Sequence, residues 1–356
     1  MLNKNDKCEF IMNSNTDVNM SNWQVTHTLD TLTMVNNKFD ILNMINKYLQ
    51  RGIKKKNIFV TDKSFLINTN YKTYFTNDYE LGSFNRSIHK MANLGRIISL
   101  EFNEELIQVN QLFKLYKQYS SIINTCVSTR LNTDSLEESY IILHQSNLET
   151  AMEELSVKAK RQLFNTLSLR IKPSDMEYSR AVEKMDRIKN NILNEFNRKV
   201  MSRNDTYEDF QTSFSRNDRP VVGIYDEEEH SFIIINANQM YQYGEEAENQ
   251  LKLKSISKNS PVELIFIVTG TLLCFLGYLI KRDYEVNNKD VENEMLDYPQ
   301  TDDEAVNNII GNEDGNIINF QDVKIDNSVK KLAKINLEKL QDVVNKKKVD
   351  VKLDPK

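Results

Sequence analysis

Apolar side chains recur every three or four positions along the first half of the chain, as on one face of an amphipathic helix. The first such stripe predicts a helix that stops at Gly52. From Ile58 to Phe75 the pattern shortens to β-like runs separated by Asn and Asp, which predicts short strands joined by turns. Residues 1–24 are polar and rich in Asn, and we expect them to be disordered. The stripe of the first helix consists of Leu29, Leu32, Val35, Phe39, Leu42, Ile45 and Leu49.

The most regular helical pattern, from about Asn103 to Leu131, carries two adjacent apolar stripes. Two stripes need packing partners on two sides, which favours a helical bundle or a higher-order coiled coil. Another helix is predicted from Asp134 or Ser135 to about Ile171, where Pro173 ends it. Ser174 and Glu177 form a capping box for the following helix, and the short connection predicts that this helix and the one before it are antiparallel neighbours.

Shorter patterns follow the bundle. Residues 202–219 are polar and are predicted to form a loop. The runs Val221–Tyr225 and Ser231–Ile235 flank the acidic stretch Asp226–Glu229, which predicts a β-hairpin with an acidic tip. This hairpin can pair with the earlier short strands into a small sheet beside the bundle. We expect Asn236–Ser260 to be a charged, partly helical connection.

One segment, Leu264–Ile280, contains no charged residue and is closed by Lys281 and Arg282. A run of about 17 residues is at the short end of what spans a hydrocarbon core, so the pattern predicts a transmembrane helix. The positive charges on its two sides are nearly balanced. Because Met1–Asn22 contains no apolar signal region, we expect the N-terminal domain to remain cytoplasmic, in a single-pass membrane protein.

These elements predict a mainly α fold: a helical bundle with a small β-hairpin or sheet element, one transmembrane helix and a flexible charged C-terminal tail. A short amphipathic helix is predicted in that tail, from Leu332 to Val344. The predicted domains are a disordered N-terminus (1–24), a helix plus short strands (25–85), the bundle (86–202), the hairpin and connector (203–260), the transmembrane helix (261–282) and an acidic then basic tail (283–356).

Composition excludes several classes of protein. The chain has 356 residues and a formal net charge of −5, which lacks the basic surplus of a dedicated nucleic-acid binder. The three cysteines, Cys8, Cys126 and Cys274, are far apart and form no CxxC spacing, which disfavours disulfide scaffolds and zinc sites. The cluster Lys54–Lys56 follows the first helix, where the helix dipole favours cations without any ligand.

The histidines show no metal-ligand spacing, so a metal site would have to be assembled from residues that are distant in sequence. They are His27, His89, His144 and His230, and we interpret His144 as a surface or packed side chain.

The acidic candidates also have simpler explanations. The pairs Glu104–Glu105 and Glu153–Glu154 are typical of solvated helix faces, and Asp226–Glu229 of a solvated turn. The stretch Asn312–Asn316 fails as a calcium loop because Ile and Gln occupy the first and last ligand positions. Phosphate-loop, dinucleotide and nucleophile-elbow motifs are absent. No catalytic, cofactor-binding or metal residue is therefore assigned, and we predict neither an enzyme nor a cofactor.

The patterns favour a membrane-anchored structural or assembly protein that docks partner subunits, or itself, through helical faces. The expected partners are a lipid bilayer and other proteins, without a small-molecule substrate or nucleic acid. An Asn-rich composition fits a viral or phage component. Three alternatives stay open: a soluble virion or complex subunit in which Leu264–Ile280 is a buried helix, an enzyme with a site assembled from scattered residues, and a lipid or nucleic-acid adaptor that uses Lys54–Lys56.

Overall fold

The computed structural model describes two compact units, one formed by residues 1–51 with 242–356 and the other by residues 52–241. The described residues are mainly helical and include two four-stranded antiparallel sheets, so the mainly α prediction is confirmed. They cover residues 8–14, 22–64, 88–168, 175–202, 206–236, 252–257, 263–268, 326–346 and 349–355.

In chain order the elements are β1 (Cys8–Ser14), α1 (Asn22–Gln50), β2 (Ile58–Ser64), α2 (Ile88–Asn93), β3 (Ile97–Ser99), α3 (Glu104–Val127), α4 (Thr133–Gln145), α5 (Leu148–Ser168), α6 (Asp175–Ser202), α7 (Thr206–Arg216), β4 (Pro220–Asp226), β5 (Ser231–Ile234), β6 (Lys252–Ser257), β7 (Glu263–Val268), α8 (Asn327–Lys346) and β8 (Val349–Pro355).

Helix α3 is the centre of a helical bundle, as its two stripes predict, and it packs against α4, α5 and α6. Both stripes are buried, and Tyr119 lies among Leu155 and Met185 in the same core. The side chain of Asn103 caps the helix by accepting a hydrogen bond from the Leu106 N–H at 3.2 Å. The predicted neighbours α5 and α6 also pack together, although residues 169–174, with the predicted stop at Pro173 and the Ser174 half of the capping box, lie outside the described residues.

The single helix predicted up to about Ile171 is in fact two helices, α4 and α5. Ser146 leaves the helical conformation with φ −139° and ψ −97°. Asn147 then begins the next helix, because its side chain accepts a hydrogen bond from the Thr150 N–H at 2.9 Å. This side-chain cap divides an apolar pattern that runs on without interruption.

The hairpin β4–β5 is confirmed, with Asp226 opposite Ser231 across the turn. It belongs to a sheet in the order β3-β2-β4-β5, so the predicted pairing with the first of the earlier strands is also confirmed. Phe59 on β2 faces Gly223 on β4, where a Cβ atom would overlap the Phe59 ring and lie 2.7 Å from the Ile233 carbonyl oxygen. Glycine is therefore the residue that fits there. The run Tyr71–Phe75 lies outside the described residues.

The loop predicted at residues 202–219 contains α7. Phe210 and Phe214 are one turn apart, both are buried, and their rings stack with centroids 6.3 Å apart. This pair gives a short polar segment one apolar face, which is sufficient for a helix that docks on a core.

The other unit contains the sheet β6-β7-β1-β8 and the helix pair α1 and α8. Helix α1 is confirmed, and Gly52 after it has a φ of +92°, which favours glycine. The helix α8 is longer than the predicted tail helix. Three strands lie where the sequence predicts other structure. Strand β1 lies in the segment expected to be disordered, β6 in the connection expected to be partly helical, and β8 in the tail expected to be flexible. Residues 269–325, including the acidic stretch and Asn312–Asn316, lie outside the described residues.

The prediction of a transmembrane helix at residues 261–282 is wrong over Glu263–Val268, which forms β7. This strand pairs with β1 on one side and with β6 on the other, and Phe266 lies opposite Phe10 and Leu253. Its β-branched residues favour a strand, and two neighbouring strands satisfy its backbone groups on both edges. No helix in the described part of the chain is long and apolar enough to cross a bilayer, so the single-pass prediction has no support there.

Candidate metal centre

Three side chains from three separate elements converge in the unit of residues 52–241. Glu105 lies in the first turn of α3, His144 in the last turn of α4, and His230 at the end of the turn between β4 and β5. A carboxylate oxygen and one nitrogen from each imidazole lie within 4.8 Å of one another.

Local structure fixes each side chain. A carboxylate is favoured in the first turn of α3, and an imidazole in the last turn of α4, by the helix dipole. The hairpin turn is shaped by Asp226, whose side chain accepts hydrogen bonds from the N–H groups of Glu228 at 2.9 Å and Glu229 at 3.2 Å. His230 then adopts a φ of +48° and directs its side chain to the cluster.

One carboxylate oxygen accepts hydrogen bonds from three donors. Glu105 Oε1 lies 3.0 Å from His144 Nδ1, 2.8 Å from His230 Nδ1 and 2.7 Å from the Tyr225 hydroxyl. Burial raises the pKa of Glu105, but the hydrogen bonds from His144 and Tyr225 outweigh it and hold the pKa below its ordinary value. The ionised carboxylate is an acceptor only, so both imidazoles carry a proton on Nδ1.

The two imidazole rings stack on each other, with centroids 3.8 Å apart and an interplanar angle of 13°. They differ in exposure: the His144 side chain is 8% exposed and that of His230 is 38% exposed. Tyr140 supports both, because its ring packs edge-on against His144 at 4.5 Å and its hydroxyl donates to the His230 carbonyl oxygen at 2.7 Å. Nε2 of His144 is buried and has no hydrogen-bond partner within the described residues. An unsatisfied buried group of this kind costs about 1–3 kcal/mol.

The tyrosines remain protonated donors. Burial raises the pKa of Tyr225 far above its ordinary value, and the neighbouring Tyr140 and Glu105 raise it further. Burial also raises the pKa of Tyr140. Tyr225 therefore supplies an O–H donor to the cluster and does not become a phenolate there.

Two imidazoles and one carboxylate are a donor set that zinc and other divalent transition metals prefer. Zinc–ligand distances of about 2.0–2.1 Å place tetrahedral ligands about 3.3 Å apart. The separations of 3.0 and 2.8 Å from Glu105 Oε1 are a few tenths of an ångström shorter. An ion must lie near the plane of each imidazole that binds it, and nearly parallel stacked rings have no such common point. Binding therefore requires one ring to turn, and His230 is the more exposed of the two.

The cluster unites residues that sequence reasoning examined separately and set aside. The interpretation of Glu105 as part of a solvated helix face is wrong, because its carboxylate holds three hydrogen bonds. His144 is packed, which was one of its two interpretations. One feature of the sequence does point to the cluster: His230 follows the acidic tip of a hairpin that is predicted to lie beside the bundle.

The remaining acidic candidates stay outside the cluster. Glu104 is exposed, Glu153 pairs with Lys189, and Glu154 lies 3.5 Å from Lys158. These three carboxylates therefore lie on helix faces that are solvated or ion-paired.

The other histidines and the basic cluster also lie elsewhere. His27 stacks on a tryptophan ring in the other unit, and His89 lies 3.6 Å from Glu137. Two lysines of the cluster Lys54–Lys56 pair with Glu227 at 3.9 and 2.5 Å. These lysines anchor the hairpin turn to the segment before β2.

Comparisons with protein-family models, with curated proteins and with solved structures gave no match for this chain. The chemistry of the side chains is the basis for a proposed function.

Proposed function

We propose that the unit of residues 52–241 binds a divalent transition-metal ion of the zinc class through Glu105, His144 and His230. The observation that carries this proposal is the convergence of two imidazoles on one ionised carboxylate, within 4.8 Å, from three separate elements. An ion there joins α3, α4 and the β4–β5 hairpin, and so stabilises the packing of the sheet against the bundle.

The donor set selects the class of ion. Calcium and magnesium prefer sites built of oxygen ligands, whereas imidazole suits zinc, copper, nickel and ferrous iron. Before binding, the Nδ1 protons occupy the place between the rings and Glu105. A ring that binds the ion through Nδ1 carries its proton on Nε2 instead, so binding requires a change of tautomer.

Calorimetric titration of the metal-free chain with zinc tests the proposal. We expect one strong site, and we expect His144→Ala and His230→Gln each to weaken zinc binding at least about tenfold, because even indirect partners of a metal ligand change affinity about 10- to 100-fold. His230 lies on an exposed turn, so its variant remains informative if the buried His144 variant does not fold.

His89→Ala is the matched control, since His89 lies in the same unit and contacts Glu137 instead of the cluster. Equal zinc affinity in the wild type and in His230→Gln would overturn the proposal. So would an affinity that falls equally in His89→Ala.

The second candidate function is self-association through α4 and α5, in keeping with the assembly role that the sequence favours. Ile141 on α4 and both Val157 and Phe164 on α5 are exposed apolar side chains. Glu138 and Lys158 lie on the same two helices and pair with each other, so the surface carries both signs of charge. A symmetric interface requires a self-complementary surface of this kind.

Light scattering after size exclusion tests self-association. We expect a dimer in the wild type and a smaller species in Phe164→Ser, with Ser168→Ala at the exposed end of α5 as the control. A monomer at every concentration of the wild type would contradict this candidate.

A further inference from the structure

Cationic side chains from several elements meet at one corner of the unit of residues 52–241, where β2 ends. The Asp62 N–H donates to the Arg96 carbonyl oxygen at 2.9 Å, and the Arg96 N–H donates to Asp62 Oδ1 at 2.8 Å. Gly95, with a φ of +120°, permits this close approach, because a Cβ atom there would overlap Asp62 Oδ1 and lie 3.2 Å from Lys63 Cγ. The backbone therefore holds Lys63 and Arg96 close together.

Helix α7 adds a second arginine to this corner. The Arg216 side chain, in the last turn of α7, donates to the Asp62 carbonyl oxygen at 3.3 Å. Asn217 beside it donates to the Thr61 carbonyl oxygen at 3.2 Å. Arg96 and Arg216 are both exposed, so two guanidinium groups lie near the end of β2 and remain accessible to solvent.

Helix α3 runs alongside β2 and brings a lysine to the same end. Near the start of β2, the Asn103 side chain donates to the Lys56 carbonyl oxygen at 3.0 Å. Seven residues further on, the Asn110 side chain exchanges hydrogen bonds with the backbone of Ile97 on β3 at 2.6 and 2.8 Å. Seven residues are about two turns, so the next position on this face of α3, beyond β3, is Lys117.

The lysines of this corner are not neutralised by ion pairs within the described residues. Lys117 is half-buried, and burial lowers its pKa; the charge of Lys63 lowers this pKa further, whereas Asp62 raises it. Asp62 and Asp209 already accept hydrogen bonds from Arg96, at 2.8 Å from its N–H and at 3.2 Å from its guanidinium group. The other cations therefore keep donors for a bound anion. We call the four cations the basic corner: Lys63, Arg96, Lys117 and Arg216.

We propose that the basic corner binds one or two phosphate groups of a small ligand through Lys63, Lys117 and Arg216, with Arg96 at its edge. A guanidinium group presents N–H donors in a fixed plane that matches phosphate oxygens, and ammonium groups add positive charge. The four cations are confined to one end of β2, whereas a protein that follows a nucleic-acid backbone makes about 6–10 phosphate contacts. The site shares no residue with the metal centre and is independent of it.

Calorimetric titration of the full, metal-free chain with sodium pyrophosphate at constant ionic strength tests the proposal. Metal ions are removed because pyrophosphate would compete for them. We expect one saturable site with a dissociation constant of about 1 mM or below. We also expect this affinity to fall when the ionic strength is raised. Titration without saturable binding up to about 10 mM pyrophosphate would overturn the proposal.

Substitutions locate the site. Lys117→Gln should weaken pyrophosphate binding about tenfold, because a hydrogen bond between charged groups is lost. Lys63→Gln should weaken it about three- to tenfold, and this exposed position remains informative if the half-buried Lys117 variant does not fold. Lys184→Gln is the matched control, since Lys184 is an exposed lysine on α6. Unchanged affinity in Lys63→Gln, or an equal loss in Lys184→Gln, would place the anion elsewhere and overturn the site.

Two further probes identify the source of the phosphate. Vesicles that contain a phosphorylated inositol lipid, with phosphatidylcholine vesicles as the control, test a lipid headgroup. Cosedimentation that pyrophosphate abolishes would assign the phosphate to a lipid headgroup, whereas pyrophosphate binding without cosedimentation would assign it to a soluble compound. Both results support the phosphate site. A single-stranded oligonucleotide that binds far more tightly than pyrophosphate, and loses affinity in Lys63→Gln, would show a nucleic-acid surface and overturn the small ligand.

Discussion

Glu195 links α6 to the centre of the bundle, and its charge has a measurable effect on stability. Its two carboxylate oxygens accept from Lys114 of α3 at 2.5 Å and from Lys199 of α6 at 2.8 Å. Burial raises the pKa of Glu195, but the hydrogen bonds and charges of the two lysines dominate and lower it from 4.5 to about 2. A lowering of this size corresponds to about 3 kcal/mol.

Solvent reduces that figure. The side chains of Lys114 and Lys199 are 43% and 40% exposed, and exposed ion pairs are screened, so we expect Glu195→Gln to lower the free energy of unfolding by about 1–2 kcal/mol near neutral pH. The folded-state pKa lies below the unfolded one. The contribution is therefore fully present above about pH 4.5 and is lost as the pH falls towards about 2.

Urea unfolding, followed by far-ultraviolet circular dichroism between about pH 6 and pH 3, measures this difference. We expect the gap between the wild type and Glu195→Gln to shrink to less than half over that range. Glu183→Gln, on an exposed position of the same helix, is the control and should leave stability unchanged. A gap that is absent near pH 6, or that does not vary with pH, would refute the reasoning.

Three further substitutions have expected effects on the same unfolding measurement. Gly223→Ala should destabilise the fold by about 1–3 kcal/mol, because the new methyl group meets the Phe59 ring. Asn103→Ala should cost about 1 kcal/mol through loss of the α3 cap. Tyr119→Phe should cost about 1 kcal/mol, because the Tyr119 hydroxyl donates to the Met185 carbonyl oxygen at 3.2 Å. An unchanged urea midpoint in any variant would contradict the contact named for it.

The helical bundle and the hairpin are predictable because their signals are local. The two apolar stripes of α3 indicate which faces of the helix are buried. The apolar runs on both sides of the acidic stretch that begins at Asp226 indicate where the hairpin turn lies. The break between α4 and α5 also has a local signal, the capping residue Asn147. The spacing of apolar residues continues through this cap without a break, so spacing alone predicts one helix in place of two.

Other elements depend on distant partners. The chargeless run that contains β7 fits a helix or a strand equally well, and its pairing with β1, far away in sequence, decides between them. The cluster of Glu105, His144 and His230 likewise depends on residues that are far apart in sequence. Each residue has an ordinary explanation alone, and only the packing of α3, α4 and the hairpin makes them neighbours. Sequence spacing reports only local motifs, so it could not bring together three side chains that come from three separate elements.

The ligand set of the zinc-loaded full chain, read by X-ray absorption at the zinc edge, tests the central claim most directly. We expect two imidazole rings and oxygen ligands at about 2.0–2.1 Å, with one imidazole lost in His230→Gln. Sulfur ligands at about 2.3 Å, or an oxygen shell without imidazole, would place the ion elsewhere and contradict the account.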